Sequence, residues 1–319
     1  NRWLFTSRCL LRRFGVTSGF LLPRLPTMTR RHFTLMSSLT LASGSALKGA
    51  EAEPTEVLSL GLLTDVHYAD KKTWGSRAYR DSLLKGKEAA EFFKEKKPAA
   101  MVCLGDLIDA APSVEIEISY LTAICKVLDV AGIPRHHVLG NHCVATLNKE
   151  EFFKNAGSAN KEGHYSFDLK GNHFVVLDAC YNSRMEPYGR NNFVWHDSNM
   201  TPEEIAWLKK DLAETKLPTV VFTHQRLDVD RPNKYAIKQS VEVRKILEDS
   251  GRVRVVFQGH SHKNELEEVN GIPYCTLAAM VEGEGIESNS YSLLRFLDDG
   301  SIKLEGYRRQ KNQSFSRKG

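Results

Sequence analysis

The 319 residues are 41% hydrophobic and 26% charged, with a mean hydropathy of −0.36, which excludes a disordered or fibrous chain and predicts a soluble globular protein with a sizeable core. The net charge of +5, from 44 basic and 39 acidic residues, is unevenly placed. Residues 1–52 hold eight basic residues and one acid, Glu51, while residues 53–319 hold 36 basic and 38 acidic ones; so nearly neutral a body gives no global electrostatic case for binding a nucleic-acid backbone.

In chain order, Arg30-Arg31 precede a weakly apolar run to about Leu47, and Ala50-Glu51-Ala52 follow. This order reads as a bacterial twin-arginine export signal at residues 1–52, cleaved after Ala52, and predicts a periplasmic or otherwise exported protein. The run is interrupted by Ser, Thr and Gly and is shorter than the roughly 20 apolar residues that span a bilayer. No later stretch qualifies, so no stable membrane insertion is expected. Residues 1–27 lie upstream of Met28, which can serve as the initiator. The body, residues 53–319, suits one large domain. It carries Cys103, Cys125, Cys143, Cys180 and Cys275, an odd count without C-x-x-C spacing, which argues against a disulfide framework or a thiolate zinc site.

The body alternates strands and helices. Residues 57–64 read as a strand and 79–96 as a helix, whose apolar stripe (Leu83, Leu84, Ala89, Ala90, Phe92, Phe93) runs to a Lys97-Pro98 stop. A buried strand at 100–104, a helix at 115–130 ended by Gly132, and a strand at 135–139 follow. Residues 165–169 and 173–177 form a hairpin across Lys170-Gly171-Asn172. Thr201-Pro202-Glu203-Glu204 is a strong helix start, with Thr as N-cap, Pro at the first helical position and acids in the first turn. Strands at 219–223 and 253–258 flank a helix at 234–249, and strands at 272–277 and 291–297 complete the pattern. This alternation predicts an α/β layered protein with polar loops at the strand ends.

Five short motifs directly follow apolar runs: Asp65-Val66-His67, Gly105-Asp106, Gly140-Asn141-His142, His224 and Gly259-His260-Ser261-His262. If their strands are neighbours in one sheet, all five loops open on the same edge. Side chains at i and i+2 of a strand point the same way, so Asp65 and His67 can reach one ion together, and His260 and His262 can share a centre. A carboxylate such as Asp106 can bridge two cations, and an Asn carbonyl adds a neutral oxygen ligand. Two divalent ions about 3.5–4 Å apart can clamp a phosphoryl group for in-line attack. Glycines beside the ligands let backbone and substrate approach closely.

This ordered set, spanning residues 58–306, resembles the calcineurin-like metallophosphoesterase family. The resemblance implies a layered sandwich of two mixed β-sheets flanked by helices. It implies one metal held by Asp65, His67, Asp106 and His262, and a second held by Asp106, Asn141, His224 and His260. The two ions would be divalent or trivalent, with manganese, iron and zinc all compatible with mixed His/carboxylate sites. His142 would be the catalytic residue, stabilising phosphate charge or protonating the leaving oxygen. A narrower similarity is carried by residues 63–70 (LTDVHYAD), 79–83 (YRDSL), 104–109 (LGDLID) and 200–208 (MTPEEIAWL), which resemble the manganese-dependent ADP-ribose/CDP-alcohol diphosphatases. In that branch a Gln stands at the place of His67, which leaves the substrate open.

The expected function is therefore two-metal hydrolysis of a small phosphorylated substrate: a phosphomonoester, a small phosphodiester or a nucleoside-diphosphate-type pyrophosphate. Export argues against a cytoplasmic nucleotide as the everyday substrate. A nuclease of the same fold is disfavoured by the near-neutral body, so no nucleic-acid partner is expected. An exported metal-binding protein without turnover is disfavoured by the complete ligand set.

Several residues carry two readings. Asp65 and Asp106 can also serve as helix N-caps, and His142 as the hydrogen-bond partner of a ligand. His136, His137, His164, His173 and His196 lack a motif around them and read as structural. Asp109 and Arg226 either orient ligands or contact phosphate, or are ordinary polar residues, with a solvated surface position favoured for Arg226. Tyr68, Trp74 and Tyr188 can stack on a base or alcohol group, or pack at the rim.

Overall fold

The computed structural model describes residues 53–158 and 162–316. The expected export leader at residues 1–52, with its expected cleavage after Ala52, lies outside the described residues.

The first half of the body follows the predicted order, with one short helix added at its end. Strand β1 (Glu56–Leu63) leads to helix α1 (Ser82–Lys96), strand β2 (Ala100–Leu104), helix α2 (Val114–Leu128), strand β3 (Arg135–Val138) and the short helix α3 (Lys149–Asn155). Local chemistry sets the boundaries. Lys97 adopts a left-handed φ of 53° before Pro98 and ends α1. The Ser113 side chain caps α2 by accepting from the Ile116 amide, and Asn148 with Glu151 forms a capping box at α3.

The second half comprises β4 (Tyr165–Leu169), β5 (Asn172–Val176), α4 (Pro202–Glu214), β6 (Thr219–Phe222), α5 (Ser240–Ser250), β7 (Val253–Gln258), β8 (Glu265–Val269), β9 (Ile272–Thr276), β10 (Ser290–Leu297), β11 (Ile302–Arg308) and β12 (Gln313–Phe315). Thr201 caps α4 with Pro202 at its first turn, as its sequence dictates.

The strands form two six-stranded mixed sheets, in the orders β12-β11-β10-β1-β2-β3 and β4-β5-β6-β7-β9-β8. The two mixed sheets implied by the family resemblance are present, and the motifs divide between them: β1, β2 and β3 supply three from one sheet, β6 and β7 two from the other. In each sheet these strands run parallel. The sheets stack face to face over Leu60, Leu62, Val102, Val220, Phe222, Val255 and Phe257. Helices α1–α3 cover the outer face of the first sheet through Phe93, Leu121, Ile124 and Phe152. Helices α4 and α5 cover the second through Leu208, Leu212, Val243 and Leu247. A Cβ on Gly61 would lie 2.8 Å from the Phe93 ring, so a side-chain-free position in β1 sets how closely α1 packs.

Two further expectations change. The helix read at 234–249 begins only at Ser240. Ala236 and Ile237 are buried, which imitates a helical stripe, but residues 235–237 pair instead with Arg226, through Arg226 N to Tyr235 O at 3.1 Å and Ile237 N to Arg226 O at 3.0 Å. The hairpin of β8 and β9 turns at Asn270 and Gly271, both left-handed at φ 49° and 78°; an Asn-Gly pair favours this turn, although β8 itself is too polar to read as a strand. All five body cysteines are free and buried. No helix among the described residues is long and apolar enough to cross a membrane.

On β5, the His173 ring bridges Asp168 and Asp211, at 2.6 and 2.8 Å. The Asp211 hydrogen bond, above all, raises its pKa, with burial opposing and Asp168 assisting. A raised folded-state pKa means the bridge stabilises fully below the unfolded value of about 6.5 and loses its effect as pH rises through the folded value. His173→Gln is accordingly expected to destabilise by about 1 kcal/mol near pH 5.5 and by less near pH 9 in urea unfolding; an equal loss at both would disprove the linkage.

Candidate metal centre

All five motif loops leave the C-terminal ends of their strands and converge where the two sheets meet. At the end of β1, the Thr64 hydroxyl lies 2.7 Å from Asp65 Oδ2 and 3.0 Å from Leu104 O. Backbone bonds bind the loops together: Asp65 N to Gly105 O at 3.1 Å, His67 N to Asp106 O at 2.8 Å, and Gly259 N to His224 O at 3.0 Å. The His260 amide donates to Asp65 Oδ2 at 3.1 Å across the sheets.

The local backbone differs from the strand alternation used to group the ligands. Asp65, His67, Asp106, His260 and His262 all adopt left-handed φ values, of 49°, 45°, 48°, 69° and 63°. Such conformations cost an L-residue about 1–3 kcal/mol each and persist where the surroundings over-determine them. As a result His260 and His262 part company rather than sharing a centre. His262 groups with Asp65 and His67, and His260 with Asp106 and His224; each set brings one ligand atom per residue within 4.8 Å of the others.

The distances tie the sets together. His67 Nε2 lies 3.7 Å from Asp65 Oδ1 and 3.4 Å from Asp106 Oδ2. His224 Nε2 lies 3.1 Å from Asp106 Oδ2 and 3.8 Å from Asp65 Oδ1, and His262 Nε2 lies 3.3 Å from Asp65 Oδ1. Asn141, at the end of β3, is buried with both polar side-chain atoms unpartnered; Asp65 Oδ1 and the Nε2 atoms of His67, His224 and His260 are also buried without a hydrogen bond. Unsatisfied buried polar atoms cost about 1–3 kcal/mol each. Their convergence in carboxylate, imidazole and amide donors fits a pair of cations.

Charge follows the same geometry. Burial, the largest effect, disfavours the charged form at both carboxylates, yet His224 and His262 hold Asp65 well below the usual range, and His224 and His142 do the same for Asp106. Burial likewise works against charge on His224 and His262, but Asp106 and Asp65 raise His224 to about 9, and Asp65 with Glu282 raises His262 to about 9. Burial pulls His67 down to about 4 and His260 to about 3. Imidazole ligates in its neutral form, so a cation held here would compete with protons chiefly at His224 and His262.

His142 stands at the mouth of this cluster. Its amide donates to Asp106 Oδ1 at 2.8 Å, and Nδ1 lies 2.6 Å from Asp109 Oδ1. Asp109 is thus the partner that orients His142, with Lys71 at 3.5 Å from its other oxygen. Arg226 is corrected: it is 6% exposed and its guanidinium is held by Asp228 and Glu265, so it is neither solvated nor free for phosphate. Tyr188 is 1% exposed with its hydroxyl on the Val194 and Asp197 carbonyls, a core residue rather than a rim one. Tyr68 packs on Tyr120 at 5.8 Å, and Trp74 is exposed. His136, His137, His164 and His173 have structural partners in Phe167, Phe152, Glu204 and the two aspartates, and the His196 ring packs on Trp195.

Sequence reading missed Glu282, whose Oε1 lies 2.5 Å from His262 Nδ1, and an aromatic wall. Phe193 stands 5.5 Å from the His142 ring, and Trp195 and Tyr235 stand 6.0 and 5.6 Å from His260 and 5.7 Å from each other. The only signal was two aromatics in the polar stretch Asn191-Asn192-Phe193-Val194-Trp195.

The motif glycines are filled space. A Cβ on Gly105 would sit 2.3 Å from His224 Nδ1, on Gly140 2.2 Å from Asp106 Oδ1, and on Gly259 2.3 Å from Thr64 Oγ1. Gly140→Ala is expected to displace Asp106 and weaken metal binding about tenfold or more while thermal unfolding stays cooperative; unchanged metal stoichiometry and affinity in calorimetry would contradict this.

A family model described as calcineurin-like phosphoesterase matches residues 58–264, more than half of the chain. The manganese-dependent ADP-ribose/CDP-alcohol diphosphatase of Arabidopsis thaliana is 22% identical over 305 residues, covering 81% of this chain and 97% of that protein. The fold is similar to a dimetal phosphatase from Danio rerio, with a TM-score of 0.71 at 19% identity over 82% of this chain and 99% of that one. It is also similar to a purple acid phosphatase from yellow lupin (Lupinus luteus) seeds, with a TM-score of 0.56 at 14% identity over 81% and 53% of the two chains. With its two mixed sheets, its convergent ligand loops and this match, the chain belongs to the calcineurin-like phosphoesterase family and is a metal-dependent phosphoesterase.

Proposed function

We propose that the enzyme hydrolyses small phosphate esters or pyrophosphates that carry an aromatic base, the nucleoside-diphosphate type above all. The observation that carries this reading is the Trp195–Tyr235 pair beside His260, an aryl surface next to the centre where phosphate is handled. The activity named for the Arabidopsis relative supports it, as does the 39% exposure of Trp195.

Asp65, His67, Asp106 and His262 would hold one cation, and Asp106, Asn141, His224 and His260 the other. Manganese is favoured by the manganese dependence of the Arabidopsis relative, with iron and zinc as compatible alternatives. Two such cations supply Lewis-acid charge to the phosphoryl oxygens. His142 contributes the proton chemistry: Asp109 occupies Nδ1 at 2.6 Å, fixing the ring and leaving Nε2 to hold a proton for the departing oxygen. Phe193 packs on the His142 ring and limits water on that side.

Purified protein supplied with manganese is expected to bind about two ions per chain and to turn over ADP-ribose and CDP-alcohols faster than glycerol phosphate. Trp195→Ala should lower kcat/KM for the base-carrying substrates about tenfold, since base stacking contributes about 1–3 kcal/mol, and leave glycerol phosphate nearly unchanged. Equal losses on both would remove the base from the reading, digestion of oligonucleotides would move it to a nuclease, and metal binding without turnover to a binding protein.

We also propose export through the Arg30-Arg31 signal, with residues 53–319 as the mature domain, which sets the reaction apart from cytoplasmic nucleotide pools. The basic leader before an Ala50-Glu51-Ala52 end supports it. Replacing both arginines by lysine is expected to hold the chain, uncleaved, in the cytoplasmic fraction of a bacterial host; export of that variant with a new terminus at Glu53 would refute the signal.

A further inference from the structure

Lys85 is a fully buried lysine, 0% exposed, in the first turn of α1. Its ammonium has no carboxylate within ion-pairing distance among the described residues. Instead Nζ donates to three backbone carbonyls of one loop: Met280 O at 2.9 Å, Glu282 O at 3.2 Å and Gly283 O at 2.6 Å. An ammonium has three donors and no acceptor, so its hydrogen-bonding capacity is filled by that loop. Burying a charge against neutral carbonyls is costly, and burial pulls its pKa down to about 8, with Asp81 and Glu282 opposing and Arg309 assisting. Ordinary packing of α1 would be served as well by an apolar side chain.

The clamped loop touches the metal centre from two sides. Its backbone holds the Asp65 loop, with Met280 N on Thr64 O at 3.1 Å and Val281 N on Asp65 O at 3.0 Å. Its Glu282 carboxylate holds His262 Nδ1 at 2.5 Å, which fixes the proton on Nδ1 and presents Nε2 for ligation. The Lys85 backbone is itself anchored, as its carbonyl accepts from Asn289 Nδ2 at 2.9 Å.

We propose that Lys85 is a positioning residue for one half of the binuclear centre: through the 280–283 loop it sets Glu282 on His262 and the backbone under Asp65. The half built from Asp106, Asn141, His224 and His260 has no bond to this loop among those described and meets it only through Asp65, whose Oδ2 accepts from the His260 amide, so the larger effect falls on one ion. The inference rests on the two-cation reading given above, and the experiment separates the two.

Manganese alone is titrated calorimetrically into the wild-type chain, Lys85→Met, Glu282→Gln and the double variant, with thermal unfolding recorded for each. The expected result is two binding events in the wild type, with one weakened about tenfold in each single variant and the other within about twofold. Because Lys85 acts through Glu282, the double variant should be little weaker than Lys85→Met, a strong departure from additivity. Additive losses, equal weakening of both events or unchanged binding in Lys85→Met would overturn the assignment. If the Met variant does not fold, Lys85→Gln, which offers two amide donors in place of three, is expected to weaken the same single event by less than tenfold; equal weakening of both events, or weakening of the other one alone, would overturn the assignment. No manganese bound to the wild type would overturn the two-cation reading instead.

Discussion

The structure is organised around a buried carboxylate, that of Asp65. One oxygen receives the Thr64 hydroxyl from its own sheet and the His260 amide from the other; the second faces the Nε2 atoms of His67, His224 and His262. A carboxylate with 0% exposure is strongly disfavoured as an anion unless donors and opposite charge surround it. The loops at the strand ends satisfy that demand, and almost every unusual local feature of the site follows from how closely they must approach. Left-handed φ values at five motif positions turn the side chains inward, and the absence of a Cβ at Gly105, Gly140 and Gly259 makes room for His224, Asp106 and Thr64.

A cluster of this kind is destabilising by itself, with strained backbone and polar atoms lacking partners. It is tolerated because its supports are rigid. Three apolar layers hold the two sheets and their helices, and the loops that leave the strand ends, though long, are tied to one another by backbone bonds. The site also draws on opposite charges at hand: burial works against charge on His224, and Asp106 and Asp65 raise its pKa in spite of it. A cation held there would compete with the proton on that ring, so metal affinity and protonation are coupled within a single electrostatic cluster.

The legibility of each part in the sequence depended on whether its signal was local. Apolar runs ending in Asp, Asn or His at the strand ends were readable, as were the Thr201-Pro202 helix start and the Lys97-Pro98 stop, because each is encoded by adjacent residues. The division of strands between two sheets was not readable from the strands themselves, since β2 and β6 are equally apolar and only long-range pairing assigns them; the family resemblance supplied it. The pairing of His260 with His224 rather than with His262 depends on backbone angles that strand periodicity does not describe. Arg226 lost its place as a phosphate contact to Asp228, a near neighbour, and to Glu265, 39 residues away, and Glu282 reaches His262 over 20 residues. The false start of α5 came from Ala236 and Ile237, buried for a reason other than helix formation.

The departure from the diphosphatases that the resemblance implies, His67 where that branch has Gln, can be weighed by charge. Burial, opposed by Asp106, draws His67 down to about 4, so at neutral pH its imidazole is uncharged, as an amide is. The exchange therefore alters the type of donor at that position but leaves the formal charge of the centre, and so its attraction for a phosphoryl group, unchanged. A difference in substrate choice has to come from groups that meet the rest of the substrate. Phe193, Trp195 and Tyr235 are placed to do that, and none belongs to a ligand motif. The ligand motifs thus identify the chemistry of phosphate, while in the proposed reading the group attached to phosphate is met by the loops at residues 193–195 and 235.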